Sequence, residues 1–317
     1  MLAKKILLIT GGAVLAAGLI LGGITFAVYG FDPAKMSTTK YVTKTYDVEG
    51  DFKDIKISGD TEDIFFEKAD DGVCKVVSLE EDDRPHTVEV DNNTLNINRV
   101  KKSHWSIGIT FESPKMTVYL PEAIYEDLNI DSDTGDITIP EVFSFDSLSF
   151  DLDTGDVKIS AKVQNEVSIK TDTGDIELTG IDASDLKLES DTGKITVNDT
   201  DIKGDISIRE DTGKVALDKV TCEVLTSEGD TGDMSLKDVA VKSTIRITRS
   251  TGDVRFDASD SDEIYVKTST GDVTGTLLSD KVFVTESDTG SIKVPDSTEG
   301  GRCEIITDTG DIKIEVK

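Results

Sequence analysis

Cysteine is nearly absent: Cys74, Cys222 and Cys303 are the only three in 317 residues. Such an odd, scattered set builds no disulfide scaffold and offers no zinc-finger spacing. Histidine is scarcer still. His86 and His104 stand alone, which excludes a multi-histidine metal centre. Aromatic residues make up 6% and include one tryptophan, Trp105, so platforms for stacking bases or sugars are few. Basic charge is also short, with 34 Lys and Arg against 63 Asp and Glu and a net charge of −29. That balance argues against nucleic acid and bare anionic lipid as partners, and favours cations or basic ligands. Yet 37% of the residues are hydrophobic, and they recur with a clear period, so the chain is not a solvated disordered tail.

The chain has one long apolar run. Ile6 to Val28 contains neither charge nor proline. At about 1.5 Å per residue a helix of this length crosses a hydrocarbon core of about 30 Å. It exceeds the apolar region of a signal peptide, and no small-residue cleavage site follows it. We therefore expect a cytoplasmic tail at 1–5, a transmembrane helix at 6–28 and a juxtamembrane linker at 29–44. Lys4 and Lys5 hold the N-terminus inside and leave everything after the span outside the cell. Gly18 and Gly22 form a GxxxG pair. Its commoner reading is a glycine-rich span without a partner; the other is a helix-mediated homodimer.

The dominant feature is a repeat. Thr-Gly recurs with the glycine at 135, 155, 174, 193, 213, 232, 252, 271, 290 and 310, always 19 or 20 residues apart. Apolar residues stand two and four positions after each glycine, as in Ile137/Ile139, Val157/Ile159 and Ile312/Ile314. They recur seven and five positions before most of these glycines, as in Leu128/Ile130, Val167/Ile169 and Ile245/Ile247. Gly275 is the one break in the first pattern. Alternation of period two marks half-buried strands, so each repeat reads strand, tight Asp-Thr-Gly-Asp corner, strand, looser corner. The glycine suits a turn that needs positive φ, and the aspartate before Thr-Gly suits an Asx turn. A meander of hairpins would also alternate, but a near-constant period favours stacked coils, since stacking equivalent residues penalises length variation. The expected fold is all-β: a repetitive β-solenoid of 19–20 residues per coil over 126–317. At about 4.8 Å per coil, ten coils make a rod of about 48 Å.

Residues 45–125 carry strands without the regular period and are expected to form an N-terminal β cap region. Gly59-Asp60-Thr61 is a degenerate relative of the corner, Val88 to Ile97 reads as a hairpin, and Met116 to Leu120 as a strand stopped by Pro121. Lys101, Lys102, His104 and Trp105 form the one basic-aromatic cluster and are read as a cap loop.

Two rows of aspartate line the corner. Asp133, Asp153 and Asp172 begin one, and Asp136, Asp156 and Asp175 the other. Carboxylates one coil apart repel unless compensated; Lys194 and Lys214 interrupt the second row. One reading is a Ca²⁺-dependent structural domain with these six as ligands; the other is solvated turn residues. Asp-Thr-Gly is also the triplet of aspartic proteases, but that mechanism needs two such loops face to face, not one stacked column. A polysaccharide-acting enzyme on a β-helix would need clustered acids with basic or aromatic helpers, and none is legible. We find no catalytic residue and expect no enzyme.

The N-terminal span, the Val118-Tyr119-Leu120-Pro121 strand end and the reiterated Asp-Thr-Gly-Asp units resemble the bacterial β-strand-repeat "putative adhesin" family, including LiaG-like proteins. The resemblance covers about residues 45–317. It implies a single-pass cell-envelope protein, often of Gram-positive bacteria, linked to envelope-stress operons or to adhesion, with an envelope protein or cell-surface ligand as partner. It implies no catalytic residue.

Overall fold

The computed structural model describes Gly18, residues 40–100 and residues 113–317. The expected membrane helix, apart from Gly18, and the Lys101–Trp105 cluster lie outside these. Among the described residues no helix is long and apolar enough to cross a membrane.

The fold is an all-β solenoid. Equivalent strands of successive repeats pair in parallel and in register, so Leu128 stands beside Leu148, Leu148 beside Val167, and Val167 beside Leu186. The parallel pairing rules out the hairpin meander for the repeats, since sequence-adjacent hairpin strands must run antiparallel. Period-two alternation then sends one side chain in two to the interior. Ile137, Val157, Ile176, Ile195, Val215, Met234 and Val254 form one continuous buried column. Ile181, Val220 and Val239, near the looser corner, close the core from the third side. Cys303 is fully buried among these residues, as its inward register requires, and none of the three thiols is paired.

The repeated glycine has a steric cause. A Cβ on Gly174 would overlap the carbonyl of Gly155 in the coil below, and one on Gly193 would overlap the carbonyl of Gly174. The backbones pass too closely at this corner for a side chain, so glycine is required by the neighbouring coil as much as by the turn.

The cap is built from β1 (Tyr41–Asp47), β2 (Asp54–Ser58), β3 (Asp63–Lys68), β4 (Lys75–Glu81), β5 (His86–Asp91), β6 (Thr94–Arg99) and β7 (Lys115–Leu120). The first strand thus begins at Tyr41, inside the stretch read as linker. β2 and β3 form a coil whose Asp60-Thr61-Glu62-Asp63 aligns with Asp133-Thr134-Gly135-Asp136; Ile57 pairs with Ile130 and Ile64 with Ile137. β6 and β7 stack on its outer side. The direction then reverses: β5 runs antiparallel to β6, β4 to β7 and β1 to β4, with Asn92 and Asn93 at positive φ in the β5–β6 turn. Antiparallel strands laid over the last coil cover the open end of a parallel stack.

Sequence order and spatial order part company at both ends. The 54–68 coil lies inside the later 94–120 coil. At the other end the final coil, 301–316, is inserted between the Gly271 coil and the Gly290 coil, pairing Ile264 with Cys303 and Cys303 with Phe283. At this end the outermost coil, 281–293, is therefore an internal segment of the described chain, followed in sequence by the coil it covers.

Candidate functional site

Three groups of charged side chains stand out from the regular faces. The first is the aspartate corner. The aspartate after each glycine accepts a backbone N–H from its counterpart in the next coil: Asp156 N to Asp136 Oδ1 at 2.8 Å, Asp175 N to Asp156 Oδ1 at 2.7 Å, and Lys194 N to Asp175 Oδ1 at 2.7 Å. The ladder resumes from Asp233 through Asp253 and Asp272 to Asp311. Lys214, in the place of an aspartate, compensates its counterpart in the next coil: its Nζ lies 2.9 Å from Asp233, whose carboxyl is held below its ordinary value by that bond and by the Asp253 N–H. This row is an inter-coil clamp rather than a set of turns closed within one repeat. Asp153 and Asp172, in the row before Thr-Gly, are exposed at the rim; Asp133, their counterpart in the first repeat, is exposed too.

Among the described residues no group of three or more His, Cys, Asp or Glu side chains is placed to hold a metal ion. Each inner-row carboxylate already spends one oxygen on a backbone N–H. Millimolar Ca²⁺ and EDTA are therefore expected to leave the melting temperature unchanged, as thermal unfolding followed by circular dichroism will show. A Ca²⁺-dependent rise of several degrees would support the ligand reading of Asp136, Asp156 and Asp175.

The second group lies in the cap, at residues the sequence reading did not single out. Glu62 occupies the position that glycine holds in the repeats, and its side chain turns inward. His86 Nε2 is 2.7 Å from Glu62 Oε1, and His86 Nδ1 is 2.5 Å from Glu80 Oε2. All three residues are at most 4% exposed. Arg99 donates to Glu62 at 2.8 Å, Tyr46 donates to Glu80 at 2.6 Å, and Lys44 lies 3.1 Å from Glu80. Arg84 and Asp60 pair at 2.7 Å on the rim. Burial alone would push the imidazole down. The hydrogen bonds and charges of Glu62 and Glu80 outweigh it, and the imidazole is raised above its ordinary value. Burial alone would raise Glu62; bonding to His86 and the charges of His86 and Arg99 instead lower it to about 2. The cluster is an imidazolium clamped between two carboxylates, joining β1, the β2–β3 corner, β4, β5 and β6. The one sequence signal was Glu62 standing where the repeat demands glycine.

The third group sits in the rod core. Three positions before the corner glycine, half of the coils carry a hydroxyl that caps a neighbouring coil's glycine carbonyl, as Thr171 does to Gly155, Ser190 to Gly174, Thr268 to Gly252 and Thr307 to Gly271. Three adjacent coils carry Glu210, Gly229 and Arg249 instead. A Cβ on Gly229 would collide with the Arg249 guanidinium, so the missing side chain is what lets Arg249 reach towards Glu210 two coils away. Arg249 Nη1 lies 3.9 Å from Glu210 Oε2, too far for a hydrogen bond, and its Nη2 donates to Ser227 at 2.9 Å. Burial raises Glu210 to about 7 and lowers Arg249 from its ordinary value.

A surface groove is lined by Asp201, Lys203, Cys222, Glu223 and Lys242. Burial pushes the Cys222 thiol up to about 12, so it carries no thiolate at neutral pH. Lys242 is paired with Glu223 at 2.8 Å.

Several solved structures are similar to the chain over most of its length. A "putative adhesin" from Parabacteroides distasonis is 15% identical with a TM-score of 0.48, covering 87% of this chain and 98% of its own. A "putative adhesin" from Bacteroides fragilis is 17% identical with a TM-score of 0.39, covering 87% and 97%. A "putative lipid binding protein" from P. distasonis is 14% identical with a TM-score of 0.40, covering 88% and 98%. No curated protein matches the chain. The Toastrack DUF4097 family model matches residues 52–210 and again 196–317, and with nearly all of its described length matched, this chain belongs to that family.

Proposed function

We propose that the protein is a non-enzymatic, membrane-anchored extracytoplasmic module: a stiff acidic rod held by the 6–28 segment and used for adhesion-like or stress-related contacts at the cell envelope. The observation that carries this reading is the corner itself. Rows of carboxylate run along one edge of a rod whose neighbouring coils are clamped by backbone and carboxylate, so negative charge is displayed on a rigid scaffold instead of a flexible tail. Such a surface recognises basic or cationic partners by electrostatic complementarity.

Fractionation followed by protease treatment of intact cells tests the proposal. The chain is expected in the membrane fraction, and external protease is expected to remove the whole 45–317 region. A chain found in the soluble cytosol, or protected until the cells are lysed, refutes it.

A further inference from the structure

The two ends of the rod are finished differently. The N-terminal end is covered by antiparallel strands. At the other end the strand Lys281–Thr289 pairs on one side with Gly301–Thr309 and, among the described residues, with nothing on the other. Its free edge offers a row of backbone donors and acceptors. The strand belongs to an internal segment of the described chain, with described residues on both sides of it.

Its side chains depart from the rest of the rod. At the outward position of Val284 the neighbouring coils carry Glu304, Tyr265 and Arg246. At the outward position of Val282 the next coil carries Arg302. Val282 is 37% exposed, Val284 42%, and Ile292 of the same coil 45%. Natural edge strands normally carry charge at such positions to prevent pairing; this one carries valine. The surrounding exposed charges, Glu286, Asp288, Asp296 and Glu299 against Lys293 and Arg302, are predominantly acidic.

We propose that this open edge is a docking site for an extended strand of a protein partner, apolar at alternate positions and basic between them. Main-chain bonds would extend the sheet by one strand, the valines would receive the apolar side chains, and the acidic fringe would select the basic ones. A second copy of this chain is disfavoured as occupant, since two identical edges would bring the same acids together. The inference concerns binding alone and does not depend on where the cell holds the rod.

The test uses the full chain in detergent and fluorescent peptides followed by anisotropy. The probes are Lys-Val-Lys-Val-Lys-Val-Lys and a partner of equal charge, Lys-Val-Lys-Pro-Lys-Val-Lys, which cannot pair as a strand. The first peptide is expected to bind, and the V282T/V284T variant, altered only at outward positions and still strand-forming, to bind it about tenfold or more weakly. Equal binding of the two peptides, or equal binding by wild type and variant, reduces the interaction to charge and overturns the proposal. So does a concentration-dependent dimer in sedimentation that the variant abolishes, which would make a second copy the occupant.

Discussion

Replacing Arg249 by threonine is expected to destabilise the rod by about 3–5 kcal/mol, because it leaves the Glu210 carboxyl buried without its partner, to be neutralised by a proton or held as an uncompensated charge. Glu210 and Arg249 are almost fully buried, 3.9 Å apart and without a mutual hydrogen bond. Such a pair stabilises little against an apolar or hydroxyl alternative, while removal of one partner is costly. The neighbouring coils supply that alternative: Thr171, Thr268 and Thr307 each cap a glycine carbonyl from the same position. The double variant Glu210→Thr with Arg249→Thr should therefore recover most of what the single variant loses. Urea denaturation of wild type, both single variants and the double variant measures the coupling directly. Additive losses would show that the two side chains do not act as a pair. The pair also sets a pH slope. Glu210 holds its proton more tightly folded than unfolded, so its contribution is full below about pH 4.5 and is lost as pH rises through about 7.

The cap is expected to respond to pH from both sides. His86 binds its proton more tightly in the folded state, so the stability it confers is complete below about pH 6.5 and disappears as pH rises through its raised value. Glu62 releases its proton more readily when folded. Its contribution is complete above about pH 4.5 and disappears as pH falls towards about 2. Glu80, lowered from its ordinary value, acts in the same sense as Glu62. The cap should be most stable between these limits. Hydrogen exchange of β1, β4 and β6 amides across pH reports the window for the cap separately from the rod. His86→Ala leaves two buried carboxylates facing one another and should cost about 3–5 kcal/mol near neutral pH. Its alkaline limb should vanish with the imidazole. Cap exchange rates in this variant that track wild type at every pH would show that the cluster does not hold the cap.

Much of this architecture is visible before any coordinates. The period of 19–20 residues, the inward columns beginning at Ile137 and Leu128, the hairpin around Asn92 and Asn93, and the inward Cys303 all follow from alternation and spacing. Even the Glu210–Gly229–Arg249 exception is readable once repeats are aligned on their glycines, because it breaks a column of hydroxyls. These features are local: each depends on which residues of one coil face inward.

Tertiary structure decided what lies between coils. Every coil presents nearly the same columns, so exchanging two neighbours preserves almost every contact, and no periodicity reveals that 301–316 slips inside 281–293 or that 94–120 lies outside 54–68. Connections and end strands settle that order. The ladder from Asp136 to Asp311 likewise exists only because one coil's carboxylate meets the next coil's N–H. His86 meets Glu62 because three antiparallel strands fold back over the first coils, an event with no period for the sequence to display.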